Sequence, residues 1–229
     1  MVIVFAVGFA FLGVGSGGLD LASLVQSVFG AGGGGTSVSK AQSKVKKHPN
    51  DPQAWKALAD ALGSKGRTAE EINALEHYVT LRPKDLTQLQ NLAQLEVTQA
   101  TNAQQANNAA RQDQTAVANN SFFASHLAGG NDPITNAVQV QVSSAERTTF
   151  TAYRAAAKRA LATLKKLTVV QPGASSYDDL ATAATQYSEN GIAIRAYTQE
   201  LRYTTDPGTK AQIRARIKTL RAAGPTFGG

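Results

Sequence analysis

Apolar residues recur along much of the chain at the three- and four-residue spacing of an amphipathic helix. The first clear stripe lies in residues 53–62 and consists of Trp55, Leu58, Ala59 and Leu62. Glycines follow it at positions 63 and 66 and interrupt the pattern. A second stripe, ending before Pro83, is formed by Ile72, Leu75, Tyr78 and Val79. The two stripes predict a pair of helices, the second over 68–81, joined by a short turn.

The spacing within this pair is typical of a repeat of about 34 residues that is built from two helices. The positions that match are Trp55, Leu58, Ala59, Gly66 and Pro83, and in this respect the segment resembles the tetratricopeptide repeat. Glu71 departs from the pattern, because the family has a small residue where the two helices cross. The resemblance implies an all-α solenoid of antiparallel helix pairs.

Two further units follow the same pattern less regularly. The second opens with Leu89, Leu92 and Ala93, but its partner helix comes only at residues 151–169. The third opens with Tyr177, Leu180, Ala181 and Ala184. Residues 210–222 form a last amphipathic stretch, with the inward positions Ile213, Ile217 and Leu220, that is typical of a solenoid cap. We therefore expect about three units in a domain spanning 38–229.

An insertion at about residues 97–150 separates the two halves of the second unit. Residues 97–119 and 137–167 contain neither glycine nor proline, and alanines recur in the first segment at helical spacing. We expect the two segments to form a long antiparallel helical hairpin. Its tip carries the apolar residues Phe122, Phe123 and Leu127, which either contact a partner or lipid, or fold back onto the hairpin.

The N-terminal residues 1–29 are the most apolar part of the chain. No charged side chain precedes Asp20, and the apolar run reaches the length of a bilayer span only if it continues through the glycines to Leu19. The pattern predicts a transmembrane anchor with a short amphipathic stretch, followed by a glycine-rich linker at 30–37. A cleavable signal peptide and a buried core helix are the alternatives, although the basic leader of a signal peptide is missing.

The net charge of +7 is concentrated in the second half of the chain. Through Thr135 ten basic residues balance ten acidic ones, whereas thirteen basic residues face six acidic ones from Asn136 onward. A basic surface of this kind suits nucleic acid, anionic lipid or an acidic partner, or is simply a solvated helix face. Nucleic acid is not expected, because Phe227 is the only aromatic residue near the basic C-terminal helix.

The sequence predicts no catalytic, metal-binding or cofactor-binding residues. The three histidines lie in different elements, and the glycines at 32–35 lack the lysine of a phosphate-binding loop. Asp178 and Asp179 are adjacent, so on a helix they diverge and do not face one another as a catalytic pair. Cysteine is absent, which excludes disulfides and thiolate chemistry. We expect no cofactor and no enzymatic activity.

The resemblance implies a partner-binding groove lined by the first helix of each unit. The candidate groove residues are Lys56, Asp60, Gln90, Gln94, Asp178 and Thr182. They lack the basic-and-asparagine clamp that some family members use for a carboxylate, so a peptide of mixed or no charge, or a partner helix, fits better. We expect a single-pass, membrane-tethered interaction scaffold of a bacterial cell envelope. The alternative is an exported soluble binding protein whose N-terminus is removed.

Overall fold

A computed structural model of the chain describes residues 36–119 and 133–224. These two ranges contain eight helices and no strand, which confirms the all-α class for this part of the chain. The helices are α1 (Thr36–Lys47), α2 (Pro52–Gly63), α3 (Thr68–Leu81), α4 (Leu86–Asn119), α5 (Pro133–Val170), α6 (Ala174–Gln186), α7 (Asn190–Tyr203) and α8 (Pro207–Ala222). The predicted anchor at 1–29 and the tip residues Phe122, Phe123 and Leu127 lie outside the described residues.

The helices pack in chain order, each mainly against the one before it and the one after it. Their buried side chains form one continuous apolar cluster from α1 to α8. Burial of this cluster removes apolar surface from water at about 25 cal/mol per Å2, and this is the main force that holds the stack together. None of the helices in 36–119 and 133–224 is both long and apolar enough to cross a bilayer.

The pair α2–α3 shows how local sequence sets the element ends. The Asp51 side chain accepts a hydrogen bond from the backbone N–H of Gln53, and Pro52 occupies the first turn of α2, where its missing N–H costs nothing. Gly66 has a φ of 68°, a left-handed conformation that glycine adopts without strain, and it closes the turn. Helix α3 spans Thr68–Leu81, as the apolar stripe predicts.

Glu71 packs at this pair against a glycine of the facing helix. A Cβ placed on Gly63 would lie 2.6 Å from the Glu71 Oε1 atom, so the carboxylate lies where a larger residue at position 63 would project. Burial of this carboxyl group raises its pKa, and the negative charge of Asp60 adds to the shift. The departure of Glu71 from the repeat pattern is thus matched by a small residue on α2 rather than on α3.

Helices α4 and α5 form a long antiparallel pair, which is the most extensive helix contact in the molecule. The Thr149 hydroxyl lies 3.4 Å from Asn107 Oδ1, and Glu96 meets Thr163, so the position on α5 falls as the position on α4 rises. Buried alanines allow the two backbones to approach closely, namely Ala100, Ala156, Ala157 and Ala160. The predicted helical continuation through 97–119 is confirmed.

Candidate functional site

The six predicted groove residues lie on α2, α4 and α6, which are the first helices of the three pairs. All six side chains are partly or fully exposed, whereas the opposite faces of these helices carry the buried residues Leu58, Leu92 and Leu180. Each candidate therefore lies on a face of its helix that is not packed into the core.

Lys56 and Asp60 form an ion pair on α2. The Lys56 Nζ atom lies 2.9 Å from Asp60 Oδ2, one helical turn away, and both groups remain in contact with water. Lys56 also faces the start of α4. The pKa of Asp85 there is lowered chiefly by the hydrogen bond from Tyr78, then by backbone N–H groups and by the charge of Lys56. The exposed face of α2 is consequently close to electrically neutral.

A row of amide and hydroxyl side chains runs along one face of α4, and the two ends of the row contact residues at or just before the ends of α6. We call these residues the α4 polar row: Gln90, Gln94, Thr98, Thr101 and Gln104. Gln90 Nε2 donates to Gln171 Oε1 over 3.3 Å, just before α6 begins, and Gln104 Nε2 donates to the Gln186 carbonyl oxygen over 3.2 Å, where α6 ends. These two contacts place α4 and α6 side by side and parallel, because both sequence positions increase together.

Asp178 contacts α8, and its side chain remains 46% exposed. The Arg216 Nη1 atom lies 3.6 Å from Asp178 Oδ1 and 3.4 Å from the Tyr197 hydroxyl, and the guanidinium carbon lies 5.7 Å from the centre of the Tyr197 ring. Glu200 is buried near this group. Its pKa is raised first by that burial and then by the charge of Asp178, while Arg216 lowers it. Arg216 therefore compensates two carboxyl groups at once.

Of the six candidate residues, the structure brings only Lys56 and Asp60 into direct side-chain contact. Lys56 bonds to Asp60, whereas Gln90 and Asp178 bond to Gln171 and Arg216, which the sequence analysis did not select. Within the residues the structure describes, no hydrogen bond or ion pair links the candidates of one helix to those of another. The sequence feature that could have pointed to the contacts of α4 is the helical recurrence of exposed amides along it.

Glu96 is the second feature that the sequence analysis missed. It lies on α4 with 1% of its surface exposed, and its Oε2 atom has no hydrogen-bond partner among the residues described. Burial raises its pKa to about 7, Thr163 and Arg159 oppose the shift, and Glu76 adds to it. The sequence feature that could have indicated its burial is its position. Glu96 lies seven residues after Leu89, on the same helix face as the apolar stripe that begins there.

The described part of the chain presents polar surface groups and, in Glu96, a buried carboxyl group with a raised pKa. The described ranges hold no cluster of three or more His, Cys, Asp or Glu side chains placed to bind a metal ion. Glu96 takes up and releases a proton near neutral pH, but the core encloses it, so it has no access to a substrate. The exposed faces of α2, α4 and α6 provide amide donors and acceptors and one neutralised ion pair.

Comparison with protein-family models gives no match for this chain, and none of the curated proteins matches it either.

Proposed function

We propose that this protein is a non-enzymatic interaction scaffold of the tetratricopeptide type. In this proposal residues 1–29 hold it in a membrane of the bacterial cell envelope as a single span. The exposed faces of α2, α4 and α6 bind a peptide or a helix of a partner protein. The tip residues Phe122, Phe123 and Leu127 supply a second contact.

The α4 polar row is the observation that carries the proposal. Gln94 and Thr98 are exposed, and Thr98 bonds only to the Gln94 carbonyl oxygen of its own helix. The side-chain amide of Gln94 thus remains available to a bound segment. On the neighbouring helix Thr182 is exposed as well. An amide both donates and accepts, so this surface suits the polar side chains or unpaired backbone groups of a peptide.

The charge of this surface favours a partner with mixed or no net charge. Lys56 is neutralised by Asp60, and Asp178 is neutralised by Arg216. Each net hydrogen bond contributes about 0.5–1.5 kcal/mol, so several are needed for specific binding. A bound segment meets the side-chain amide of Gln94 and the hydroxyl of Thr182 first. It gains further hydrogen bonds by displacing the contacts of Gln90 and Gln104 with Gln171 and Gln186.

Partner capture by paired variants tests the groove. The full chain, purified from native membranes in neutral detergent, is compared with the Gln94→Arg/Thr182→Arg variant, which places two bulky cations on the first-helix face. The control is Thr80→Arg/Gln112→Arg, which makes the same change at exposed positions on α3 and on the distal part of α4. We expect the same partner to be retained by the wild type and the control and lost from the groove variant. Equal retention by all three proteins refutes the groove.

Membrane fractionation tests the anchor separately. An intact N-terminus, identified by protein sequencing in the membrane pellet after an alkaline wash, is the expected result. A mature protein that begins within or after residues 1–29 and remains in the supernatant would support the alternative of an exported soluble binding protein.

A further inference from the structure

The outward face of α8 is strongly basic. The helix contains five basic residues and no acidic one. Four of them recur at spacings of four, four and three positions and thus form one stripe along the helix, consisting of Lys210, Arg214, Lys218 and Arg221. The fifth, Arg216, points to Asp178 and Tyr197 instead.

The four side chains of this stripe have no ion pair or hydrogen bond to any residue in 36–119 or 133–224. Like charges one turn apart on a helix repel one another and weaken it. Acidic residues on the neighbouring helix do not relieve the repulsion, because Glu200, the one acidic residue within α7, is buried and interacts with Arg216. The stripe is therefore an uncompensated cationic surface.

An open groove of about 330 Å3 lies beside this stripe, between α7 and α8. Leu201 and Ile217 provide apolar surface within it, and Thr198 adds a methyl group and a hydroxyl. The Thr198 hydroxyl donates to the Ile194 carbonyl oxygen of its own helix. Three cations line the groove, namely Arg214, Lys218 and Arg221. The groove therefore presents apolar surface that is bordered by positive charge on one side.

We propose that this α7–α8 groove binds an acidic amphipathic helix of a partner protein. Successive cations of the stripe are separated by one helical turn, about 5–6 Å. Carboxylates at positions i, i+4 and i+7 of a helix lying along the groove have the same separation and meet Arg214, Lys218 and Arg221. The apolar side chains on the adjacent face of that helix contact Leu201 and Ile217, in the manner of helix-in-groove recognition.

The groove favours a protein helix over nucleic acid. Single-stranded nucleic acid uses aromatic side chains on which its bases stack, and no aromatic residue lines this groove. Tyr203 is exposed, but it is two residues beyond Leu201 and lies about 200° around α7 from it. Its ring also stacks on Tyr177, with the ring centres 5.6 Å apart.

This surface is separate from the first-helix faces of the proposed function, so each proposal can fail alone. The experiment measures binding of a fluorescent peptide of 16 residues, the length of α8, to the full chain in neutral detergent. The peptide places Glu on one helical face and Leu on the adjacent face. A peptide with Lys in place of every Glu, a single-stranded oligonucleotide and phosphatidylglycerol-containing vesicles are the competing probes.

The key variant is Arg214→Glu/Lys218→Glu, and its control is Lys65→Glu/Lys84→Glu. The control makes the same change in net charge at two exposed lysines in the turns that flank α3. We expect the acidic peptide to bind the wild type and the control, to weaken about tenfold or more in the groove variant, and to weaken with rising salt. A Leu201→Ala variant with an unchanged circular-dichroism spectrum should also bind more weakly.

Three results overturn the proposal. The first is equal affinity of the groove variant and the control, which would make the attraction nonspecific. The second is tighter binding of the oligonucleotide or of the vesicles than of the acidic peptide, since either assigns the stripe to another class of partner. The third is self-association of the wild type that the groove variant abolishes, because it assigns the groove to a second copy of the chain.

Discussion

Replacing Glu96 with glutamine should make the protein more stable at neutral and alkaline pH. The carboxyl group is almost fully enclosed between α3, α4 and α5. Glu76 of α3 and the α5 residues Thr163 and Arg159 are the groups that interact with it. The substitution keeps the shape of the side chain and removes its ability to ionise, and the new amide can donate to the Glu76 carboxylate.

The magnitude follows from the pKa of Glu96, which folding raises from 4.5 to about 7. The folded protein then holds a proton that the unfolded chain releases, so the free energy of unfolding falls as the pH rises between these two values. This pKa difference corresponds to about 3 kcal/mol in the free energy of unfolding. The wild type has lost all of that stability once the pH is above the higher pKa. Below the pKa that Glu96 has in the unfolded chain, the wild type and Glu96→Gln should be about equally stable, because Glu96 is then protonated in both the folded and the unfolded wild type.

The assay is urea unfolding, followed by circular dichroism, at several values from about pH 4.5 to about pH 8. The wild type should lose stability across this range, and Glu96→Gln should lose much less. A residual slope is expected from Glu200 and Asp179, since burial raises the pKa of each. The matched control is Glu146→Gln, at a partly exposed position on α5. A Glu96→Gln variant with the slope of the wild type would refute the reasoning.

Three further changes test other parts of the structure. Trp55→Phe should lower the free energy of unfolding in urea by about 1–3 kcal/mol, because it removes the hydrogen bond to the Pro49 carbonyl oxygen and part of a buried ring. An unchanged urea midpoint would contradict this. Asp206→Ala removes the side chain that accepts from the Thr209 N–H and hydroxyl at the start of α8, so limited proteolysis there should become faster than in the Asp113→Ala control. Phe122→Asp/Phe123→Asp should reduce partner capture if the tip is a contact, and capture equal to the wild type would assign the tip no role.

The element boundaries that the sequence predicted well are those with a strong local signal. Helix α3 begins and ends where the stripe and Pro83 indicate. Helix α8 begins at Pro207, three residues before position 210, where the sequence pattern placed the start of the last amphipathic stretch. Asp206 and Pro207, which lie just before that stretch, supply the cap and the first turn of this helix.

Contacts between elements could not be predicted, because sequence spacing does not encode them. The His77 ring stacks on Trp55 of the facing helix with the ring centres 4.2 Å apart, a contact that the sequence pattern does not indicate. The same limit applies to the site. Helical spacing placed Gln90 and Asp178 on the exposed faces, but their partners Gln171 and Arg216 belong to other elements. The burial of Glu96 could not be predicted either, because a glutamate is rarely fully buried, even within an apolar stripe.

Packing in chain order has a consequence for the speed of folding. Because each helix mainly contacts its immediate neighbours, most helix pairs form without closing a long loop of unfolded chain. Local contacts of this kind favour folding in microseconds to milliseconds. The α4–α5 pair differs, since its contacts join residues as far apart as Glu96 and Thr163, but only residues 120–132 separate the two helices, so these contacts can form in succession from that end. A family of chains with longer or shorter hairpins should therefore fold at similar rates.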